Sequence, residues 1–514
     1  MMQSLEFGET RKPLSQLLQG ILPLDESEEI EVAGLCLDSR AVQADDCFIA
    51  LQGHETHGLS YLNDALKAGA SAVLSDIEYQ GHAPQVEAGV PVLVIEKLRE
   101  HLATIANRFY DYPSNELAVV AVTGTNGKTT VAATLAELLK LHYGGALYVG
   151  TLGIGCWPAL FETANTTPDL LSLQKHFAAC RSAGVKACAL EASSHALAQN
   201  RMSGIAVDVA IFTNLSHEHL DYHGSMEAYA KAKFQLFKPP LGDAVINVDD
   251  SHGRELYEKL DAETCAWPYG LGEKAQGFSN LTTATSVKLG LHGIDMHVSS
   301  PCGEGWVHSP LIGDFNVSNL LGVIAALAAL GLEFEQISQL LPSASVVPGR
   351  MQLVNGDSSG VDGHHPRVIV DYAHTPDGLE HSLKTLREIT SGRVICVFGC
   401  GGDRDREKRP LMGKIAGQYA DSVIVTSDNP RGESPPAIIE EILAGPSATE
   451  KFLVEPDRRK AISAAIANAR HEDTILIAGK GHENTQLVQG AKLPFSDVEV
   501  AREILATTTA ELES

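Results

Sequence analysis

The sequence predicts an α/β protein of three domains in which strands and helices alternate. Its 514 residues exceed what one hydrophobic core holds. Short apolar runs alternate with helical patterns along most of the chain, which is typical of parallel, doubly wound sheets. Many of these runs end in polar clusters, and ligands of such sheets bind where the strands end.

Composition narrows the class of function. The net charge of −26 argues against a nucleic-acid partner or an anionic membrane surface. The nine cysteines include no Cys-x-x-Cys pair, which argues against a disulfide framework or a zinc ribbon. The N-terminus lacks signal-peptide features, and the longest apolar run, residues 320–332, is too short to span a bilayer. We therefore expect a cytoplasmic protein without membrane insertion.

Residues 1–113 are predicted to form a small first domain of short strands and helices. Strands are expected at residues 32–37, 46–51, 72–74 and 92–95, and a helix at residues 61–68. Polar residues at two strand ends, Ser39 with Arg40 and the His54-Glu55-Thr56 loop, could bind a polar ligand. Capping and turn chemistry explains them equally well.

The second predicted domain, residues 114–347, contains a glycine-rich loop, Thr123-Gly124-Thr125-Asn126-Gly127-Lys128-Thr129-Thr130, between an apolar strand and a helical pattern. Glycines let backbone N–H groups approach phosphate oxygens, Lys128 supplies a charge for the β- and γ-phosphates, and the Thr129 hydroxyl can ligate Mg²⁺. The spacing departs from the strict P-loop, which has glycine where this chain has Val122. An ordinary strand-to-helix turn is the alternative, but the context favours a nucleotide triphosphate.

Further strand and helix patterns follow this loop and predict a mostly parallel sheet. Strands are expected at residues 146–151, 187–191, 207–215 and 244–250, with a β-rich segment at residues 281–315. One of them ends at Glu191. A carboxylate at a strand end downstream of a nucleotide loop indicates a role in binding Mg²⁺ or positioning water.

The segment His217-Glu218-His219-Leu220-Asp221 contains a pattern similar to zinc hydrolase motifs, but Tyr222 stands where those motifs have histidine. We therefore rank zinc hydrolysis low and interpret His219 as a candidate second Mg²⁺ ligand. A capped, solvated loop explains His217 and His223. Lys233 follows on a helical segment with apolar neighbours, where a surface lysine is the simplest interpretation.

The third predicted domain, residues 348–514, has four strands that each end in a polar cluster. The clusters contain Asp371, Arg404, the run Asp428-Asn429-Pro430-Arg431, and the run Gly479–Glu483. Guanidinium groups bind carboxylates bidentately, so this edge suits an amino-acid-like zwitterion. Surface ion pairing is the alternative.

Together these motifs resemble the Mur ligase family over nearly the whole chain. The resemblance implies three domains: a UDP-binding domain, a P-loop-type ATPase domain with a doubly wound sheet, and a Rossmann-like C-terminal domain. It implies catalytic roles for Lys128, Glu191, His219 and Lys233. The implied ATP contacts are Gly124, Thr125, Asn126, Gly127, Lys128, Thr129, Thr130, Asn316, Arg350 and Asp371. The implied ligands of two Mg²⁺ ions are Thr129, Glu191, His219 and Lys233, the last as a carbamate formed with CO₂.

The same resemblance implies the substrates, which are UDP-N-acetylmuramoyl-L-alanyl-D-glutamate and meso-2,6-diaminopimelate. The implied contacts of the UDP-muramoyl-dipeptide are Leu37, Ser39, His54, Glu55, Thr56, Asn165, Thr166, Thr167, Ser193, Gln199 and Arg201. The implied contacts of diaminopimelate are Arg404, Asp428, Asn429, Pro430, Arg431, Gly479 and Glu483. The sequence carries no signal for an oligomer, and a monomer is expected.

The implied reaction is amide ligation in peptidoglycan precursor synthesis. The terminal glutamate carboxylate attacks the γ-phosphorus of ATP, giving an acyl phosphate and ADP, and the diaminopimelate amine then displaces phosphate. Three alternatives stay open from the residues: a sister ligase such as a lysine-adding enzyme or a folylpolyglutamate synthetase, a zinc hydrolase, and a non-catalytic nucleotide-binding module.

Overall fold

The computed structural model describes residues 10–24, 30–53, 56–78, 89–290, 292–344, 346–354, 366–446 and 450–512. The chain divides into two compact units, Met1–Thr282 with Gly322–Leu332, and Thr283–Leu321 with Glu333–Ser514. The domain boundaries at residues 113/114 and 347/348 stay a prediction. In the described ranges, no helix combines the length and apolarity that spanning a bilayer requires.

The N-terminal part of the first unit is a small α/β layer. Its parallel sheet has the order β3-β4-β5-β6, and β1 pairs with β2. Helix α3 buries Leu98, Leu102 and Ile105, a spacing that places them on one helical face against the sheet. The elements are β1 (Lys12–Pro13), α1 (Leu14–Leu17), β2 (Glu31–Val32), β3 (Gly34–Cys36), β4 (Asp46–Ala50), α2 (Leu62–Lys67), β5 (Ala72–Ser75), β6 (Val92–Val94) and α3 (Leu98–Tyr110).

The central part of the first unit is a doubly wound sheet of order β13-β12-β11-β7-β10-β8-β9. Neighbouring strands run parallel except β9, which is antiparallel to β8. The strands are β7 (Ala118–Thr123), β8 (Ala146–Gly150), β9 (Gly153–Cys156), β10 (Ala187–Glu191), β11 (Val209–Phe212), β12 (Asp243–Asn247) and β13 (Cys265–Tyr269). The helices are α4 (Lys128–Tyr143), α5 (Leu170–Ser182), α6 (Ser194–Ala198), α7 (Leu220–His223), α8 (Met226–Phe234) and α9 (Ser251–Glu258).

This strand order creates a topological switch point at β7. The chain runs from β7 through α4 to β8 on one side, whereas β10 and β11 flank β7 on opposite sides. Residues 119–122 of β7 are fully buried, because helices cover both faces of such a sheet. The carboxyl ends of β7, β10 and β11 therefore meet at one edge, where ligands of this fold class bind.

The second unit begins with an antiparallel sheet of order β14-β15-β16, which confirms the predicted β-rich segment. Helix α10 begins in the second unit and ends in the first. The elements are β14 (Thr283–Gly290), β15 (Gly293–Ser300), β16 (Gly303–Ser309), α10 (Phe315–Ala329) and α11 (Phe334–Leu340).

The C-terminal sheet has the order β17-β18-β22-β19-β20-β21 and is parallel except for β17. Alternate residues of β19 contribute to different apolar clusters, Cys396 and Phe398 to one and Ile395 and Val397 to the other, so both faces are covered. Its strands are β17 (Gln352–Leu353), β18 (Arg367–Asp371), β19 (Val394–Phe398), β20 (Ser422–Val425), β21 (Phe452–Val454) and β22 (Thr474–Ala478). A separate antiparallel sheet pairs β23 (Thr485–Val488) with β24 (Ala491–Pro494). The helices are α12 (Pro376–Ile389), α13 (Lys408–Tyr419), α14 (Pro435–Leu443), α15 (Arg458–Ala467) and α16 (Asp497–Leu512). The predicted α/β class with mostly parallel sheets is confirmed.

A buried ion pair joins the last two helices to the edge of this sheet. Arg458 donates to both carboxylate oxygens of Asp497 at 2.7 Å, and both side chains are fully buried. The same guanidinium donates to the carbonyl oxygens of Ser427 at 3.3 Å and Ala478 at 3.0 Å. It therefore ties the chain just beyond β20 to the last residue of β22.

Replacing Arg458 with alanine should lower stability strongly, because Asp497 would keep a buried and unpaired charge. Removing one partner of a buried pair costs about 3–5 kcal/mol. Arg459→Ala is the matched control, since its ion pair with Glu503 is more than half exposed and such pairs contribute at most about 1 kcal/mol. Urea unfolding followed by circular dichroism measures both. Equal shifts of the urea midpoints of the two variants would contradict a dominant role of the buried Arg458–Asp497 pair in stability.

Candidate active site

The carbonyl oxygens of the loop between β7 and α4 accept hydrogen bonds from the loop's own lysine, Lys128. Gly124 and Gly127 have φ values of 153° and 86°, and a Cβ at Gly124 would overlap the Thr213 hydroxyl, so glycine is required there. Lys128 Nζ donates to the carbonyl oxygens of Gly124 at 2.9 Å and Thr125 at 2.8 Å. The first N–H groups of α4 follow directly, which is the arrangement that binds phosphate at a helix N-terminus.

Polar residues at the end of β11 hold this loop in place. The Asn126 N–H donates to Asn214 Oδ1 at 2.9 Å, and its carbonyl oxygen accepts from Thr213 Oγ1 at 2.6 Å. The Thr125 N–H donates to the Asn214 carbonyl at 2.8 Å. The sequence interpretation assigned no role to Thr213 and Asn214. A polar residue at a strand end, the signal that identified Glu191, would have found them.

Glu191 is fully buried at the end of β10 and is surrounded by donors. Its Oε1 accepts from the Tyr148 hydroxyl at 2.6 Å and the Thr151 N–H at 2.9 Å. Its Oε2 accepts from the hydroxyls of Thr129 and Thr151, both at 3.1 Å. The structure therefore brings the predicted Thr129 and Glu191 together, and it adds Tyr148 and Thr151, which the sequence interpretation missed.

Lys233 on α8 is buried, with 1 % of its surface exposed, so the surface-lysine interpretation is wrong. Its Nζ donates to the Gly124 carbonyl at 2.6 Å and lies 4.5 Å from the centre of the Tyr229 ring. Burial lowers the pKa of Lys233 well below its ordinary value, repulsion from Lys128 lowers it further, and Glu218 opposes the shift. Burial and the repulsion from Lys128 thus favour the neutral form of the Lys233 amine.

The histidines lie in an aromatic cluster rather than in a metal cage. The His219 ring lies 5.0 Å from that of His195 and 6.1 Å from that of Tyr229. His223 Nε2 is 3.0 Å from Ser194 Oγ. Among the residues that the structure describes, no three His, Cys, Asp or Glu side chains are grouped to hold a metal, and a zinc hydrolase needs three protein ligands.

The donor set around Glu191 suits Mg²⁺ better than Zn²⁺. The Thr129 hydroxyl and the Glu191 carboxylate are hard oxygen donors. Mg²⁺ in nucleotide sites commonly takes one or two protein oxygens and completes its shell with water and phosphates. Thr129 and Glu191 therefore fit a Mg²⁺ site, whereas a role of His219 as a second Mg²⁺ ligand stays a prediction.

Several residues predicted to bind the muramoyl-dipeptide form one network beside Glu191. Thr167 Oγ1 donates to the Glu191 carbonyl at 2.6 Å and accepts from the Ser193 N–H at 3.1 Å. Arg201 donates to the Thr167 carbonyl at 2.9 Å and to Gln199 Oε1 at 2.6 Å. The structure thus groups Thr167, Ser193, Gln199 and Arg201.

The other predicted dipeptide contacts are less connected. Thr166 Oγ1 lies 3.4 Å from Thr151 Oγ1, and Asn165 is exposed. In the N-terminal layer, Ser39 is nearly buried, Leu37 packs beside the apolar core, and Thr56 Oγ1 lies 3.3 Å from the Tyr61 hydroxyl. His54 and Glu55 lie outside the described residues.

In the second unit, the predicted diaminopimelate contacts follow the ends of β19, β20 and β22. Arg431 donates to the Gly402 carbonyl at 2.9 Å, and Asn429 Nδ2 donates to Glu483 Oε2 at 2.8 Å. Asp428 Oδ1 accepts the Asn429 N–H at 2.7 Å, and a Cβ at Gly479 would lie 2.5 Å from Asp428 Oδ2. Pro430 is buried beside them, whereas Arg404 is exposed on the loop after β19.

The predicted ATP contacts of the second unit surround the end of β18. Asp371 Oδ1 accepts the Met351 N–H at 3.1 Å, and Oδ2 accepts the Ser382 hydroxyl at 2.5 Å. The Arg350 guanidinium lies 4.6 Å from the centre of the Tyr372 ring. Asn316, near the start of α10, donates to the Ile312 carbonyl at 2.8 Å.

A glycine loop between strand and helix, with a buried carboxylate on the neighbouring strand, defines a nucleotide-binding α/β protein. Three family models match the chain: "Mur ligase family, catalytic domain" at residues 31–110, "Mur ligase middle domain" at residues 122–327, and "Mur ligase, glutamate ligase domain" at residues 349–481. The chain belongs to the Mur ligase family.

Curated relatives share one printed name, UDP-N-acetylmuramoyl-L-alanyl-D-glutamate–2,6-diaminopimelate ligase. The relative from Coxiella burnetii is 43 % identical over 478 residues, 93 % of this chain and 96 % of its own. The relative from Pseudomonas aeruginosa is 44 % identical over 480 residues, with the same coverage of 93 % and 96 %.

Solved structures show the same three-domain family architecture. A structure with the name shared by these relatives is 35 % identical, with a TM-score of 0.69 over 96 % of this chain and 99 % of its own. The MurF ligase of Thermotoga maritima, in complex with ADP, is 19 % identical with a TM-score of 0.63 over 93 % of this chain and 98 % of its own. At that identity the likeness concerns the fold.

The lowered pKa of Lys233 predicts a pH-dependent effect of Lys233→Met. Between the lowered native pKa and about 10.4 in the unfolded chain, only the unfolded state binds the proton, so wild-type stability rises with pH. The variant lacks this dependence, and its stability relative to wild type should be higher at pH 7 than at pH 10.5.

Urea midpoints at both pH values, in buffer free of carbon dioxide, measure this difference. Lys231→Met, at an exposed position on the same helix, controls for loss of a lysine from α8. If the stability difference between Lys233→Met and wild type is the same at both pH values, Lys233 is charged in the native protein.

Proposed function

We propose that the protein is an ATP-dependent ligase that adds meso-2,6-diaminopimelate to UDP-N-acetylmuramoyl-L-alanyl-D-glutamate. The observation that carries the proposal is the identity of 43–44 % over 93 % of the chain to relatives of that name. The product would be a precursor of peptidoglycan, and we propose that the enzyme works in the cytoplasm as a monomer.

The ATP end of the site is proposed at the loop after β7. The N-terminus of α4 and the Lys128 ammonium would place positive charge at the phosphates and offset repulsion between the triphosphate and an attacking carboxylate. Thr129 and Glu191, 3.1 Å apart, would hold Mg²⁺, which supplies further charge neutralisation at the transferred phosphoryl group. We extend this to a second Mg²⁺ that uses His219, and to ATP contacts from Asn316, Arg350 and Asp371.

The proposed reaction has two steps. A carboxylate oxygen of the dipeptide's glutamate attacks the γ-phosphorus, the bond to the β-phosphate oxygen breaks, and ADP leaves. The neutral amine of diaminopimelate then attacks the acyl carbon, phosphate leaves with the bonding pair, and the nitrogen loses a proton. Because the protein forms no covalent bond, its residues act by positioning and electrostatics.

We propose that Lys233 carries a CO₂-derived carbamate in the active enzyme. Only a neutral amine adds to CO₂, and the burial and repulsion that lower the pKa of Lys233 favour that form. The carbamate would supply an anionic oxygen ligand for Mg²⁺. Lys233 Nζ, to which it would be attached, donates a hydrogen bond to the Gly124 carbonyl at 2.6 Å.

The amine acceptor is proposed at the ends of β19, β20 and β22. Arg431 is half-buried, and guanidinium groups bind carboxylates bidentately. Glu483 has 32 % of its side chain exposed and can accept from an ammonium. A site with both charges suits a zwitterionic amino-acid centre, which the side chain of diaminopimelate has and that of lysine lacks.

Phosphate release with the UDP-muramoyl-dipeptide and ATP should depend on meso-diaminopimelate and be at least about tenfold slower with L-lysine, since the missing carboxylate leaves Arg431 unpaired. A malachite-green assay with each amine measures this. Faster turnover with lysine, or with glutamate, would identify a sister ligase instead. ATP binding with no amine-dependent phosphate release would identify a non-catalytic module.

Gly150→Ala should weaken binding of Mg²⁺–ATP, because a Cβ there would overlap both Glu191 Oε1 and the Tyr148 hydroxyl. We expect the Kd from calorimetry to rise at least about tenfold, equivalent to about 1.4 kcal/mol. Gly145→Ala, just before the same strand, is the control, since its Cβ would find its nearest neighbour, Val185 Cγ2, at 3.5 Å. An unchanged Kd for folded Gly150→Ala would remove Glu191 from the proposed site.

A further inference from the structure

A buried cation lies beneath the proposed amine-acceptor site. Lys480 follows Gly479 at the end of β22, and its side chain is fully buried. Its Nζ donates to Asn429 Oδ1 at 3.1 Å, Glu483 Oε2 at 2.9 Å and the Thr485 carbonyl at 2.7 Å. These three acceptors use all three N–H groups of the ammonium. A buried charge is costly unless it is paired, so the network fixes its members relative to one another.

The network occupies one oxygen of Glu483 and not the other. Oε2 accepts both Lys480 Nζ and, at 2.8 Å, Asn429 Nδ2. Within the part of the chain that the structure describes, no protein group donates a hydrogen bond to Oε1, and 32 % of the Glu483 side chain is exposed. Lys480 therefore holds the inner oxygen while the outer oxygen can accept from a ligand.

Lys480 also fixes the orientation of the Asn429 amide. Asn429 Oδ1 accepts from Lys480 Nζ and, at 2.9 Å, from the Leu487 N–H. A flipped amide would set its NH₂ group against these two donors and its oxygen against the Glu483 carboxylate. The charge of Lys480 thus selects the orientation in which Asn429 supports Glu483.

We propose that Lys480 is a positioning residue for the acceptor amino acid: its buried ammonium holds Asn429 and the inner oxygen of Glu483 so that the outer oxygen meets the acceptor's ammonium group. The inference rests on the proposed function, because the acceptor amino acid is the substrate concerned. Lys480 contacts no substrate, and its effect passes through Glu483 and Asn429.

The test is the steady-state kinetics of Lys480→Met, which keeps the length of the side chain and removes its charge. The KM for meso-diaminopimelate should rise at least tenfold, while the KM values for ATP and the UDP-muramoyl-dipeptide stay within twofold of wild type. Lys492→Met, at an exposed position on β24, is the matched control. Equal changes in all three KM values would indicate a general structural defect and overturn the proposal.

A double-mutant cycle with Glu483→Gln separates positioning from a structural role. If Lys480 acts through Glu483, the KM of the double variant for diaminopimelate should not exceed the higher of the two KM values of the single variants. A KM that multiplies the two single effects overturns the proposal. If Lys480→Met does not fold by circular dichroism, Lys480→Gln, which keeps an N–H donor without the charge, replaces it in the cycle.

Wild-type activity distinguishes this inference from the proposed function. If the wild-type enzyme releases phosphate with diaminopimelate and the cycle is multiplicative, only the role of Lys480 fails. If wild type shows no diaminopimelate-dependent release, the proposed function fails and the inference with it.

Discussion

The carbonyl oxygen of Gly124 is the acceptor on which the nucleotide loop depends. It accepts Lys128 Nζ at 2.9 Å and Lys233 Nζ at 2.6 Å. Gly124 has a φ of 153°, a backbone conformation that favours glycine. A Cβ at this position would overlap the Thr213 hydroxyl. Burial is the main cause of the lowered pKa of Lys233, and repulsion from Lys128, which shares this acceptor, lowers it further. One backbone oxygen therefore positions both lysine side chains at the nucleotide loop.

The same rule of sheet architecture organises each unit. In the first unit the nucleotide loop, Glu191 and Asn214 lie at the carboxyl ends of β7, β10 and β11, which are neighbours. In the second unit Arg404, Asn429 and Gly479 follow β19, β20 and β22, where β19 lies between the other two. Carboxyl ends of parallel strands meet at one edge, so residues far apart in the chain converge there.

Buried charges then make these edges rigid. Glu191 accepts four hydrogen bonds, Arg458 pairs with Asp497, and Lys480 pairs with Glu483. Each charge would be costly in the interior without its partners. Because the cost of losing a partner is high, the positions of these groups are narrowly defined, which is what a site that works by positioning requires.

The sequence by itself determined the α/β class, most strands and helices, the nucleotide loop and Glu191, because apolar runs, glycine spacing and strand-end polarity are local patterns. Only the tertiary structure decided that Lys233 is buried, that Tyr148 bonds to Glu191, and that the Asn429 amide faces Lys480. These facts depend on which strands are neighbours and how helices pack on them. Contacts between residues dozens of positions apart leave no periodic trace in one sequence.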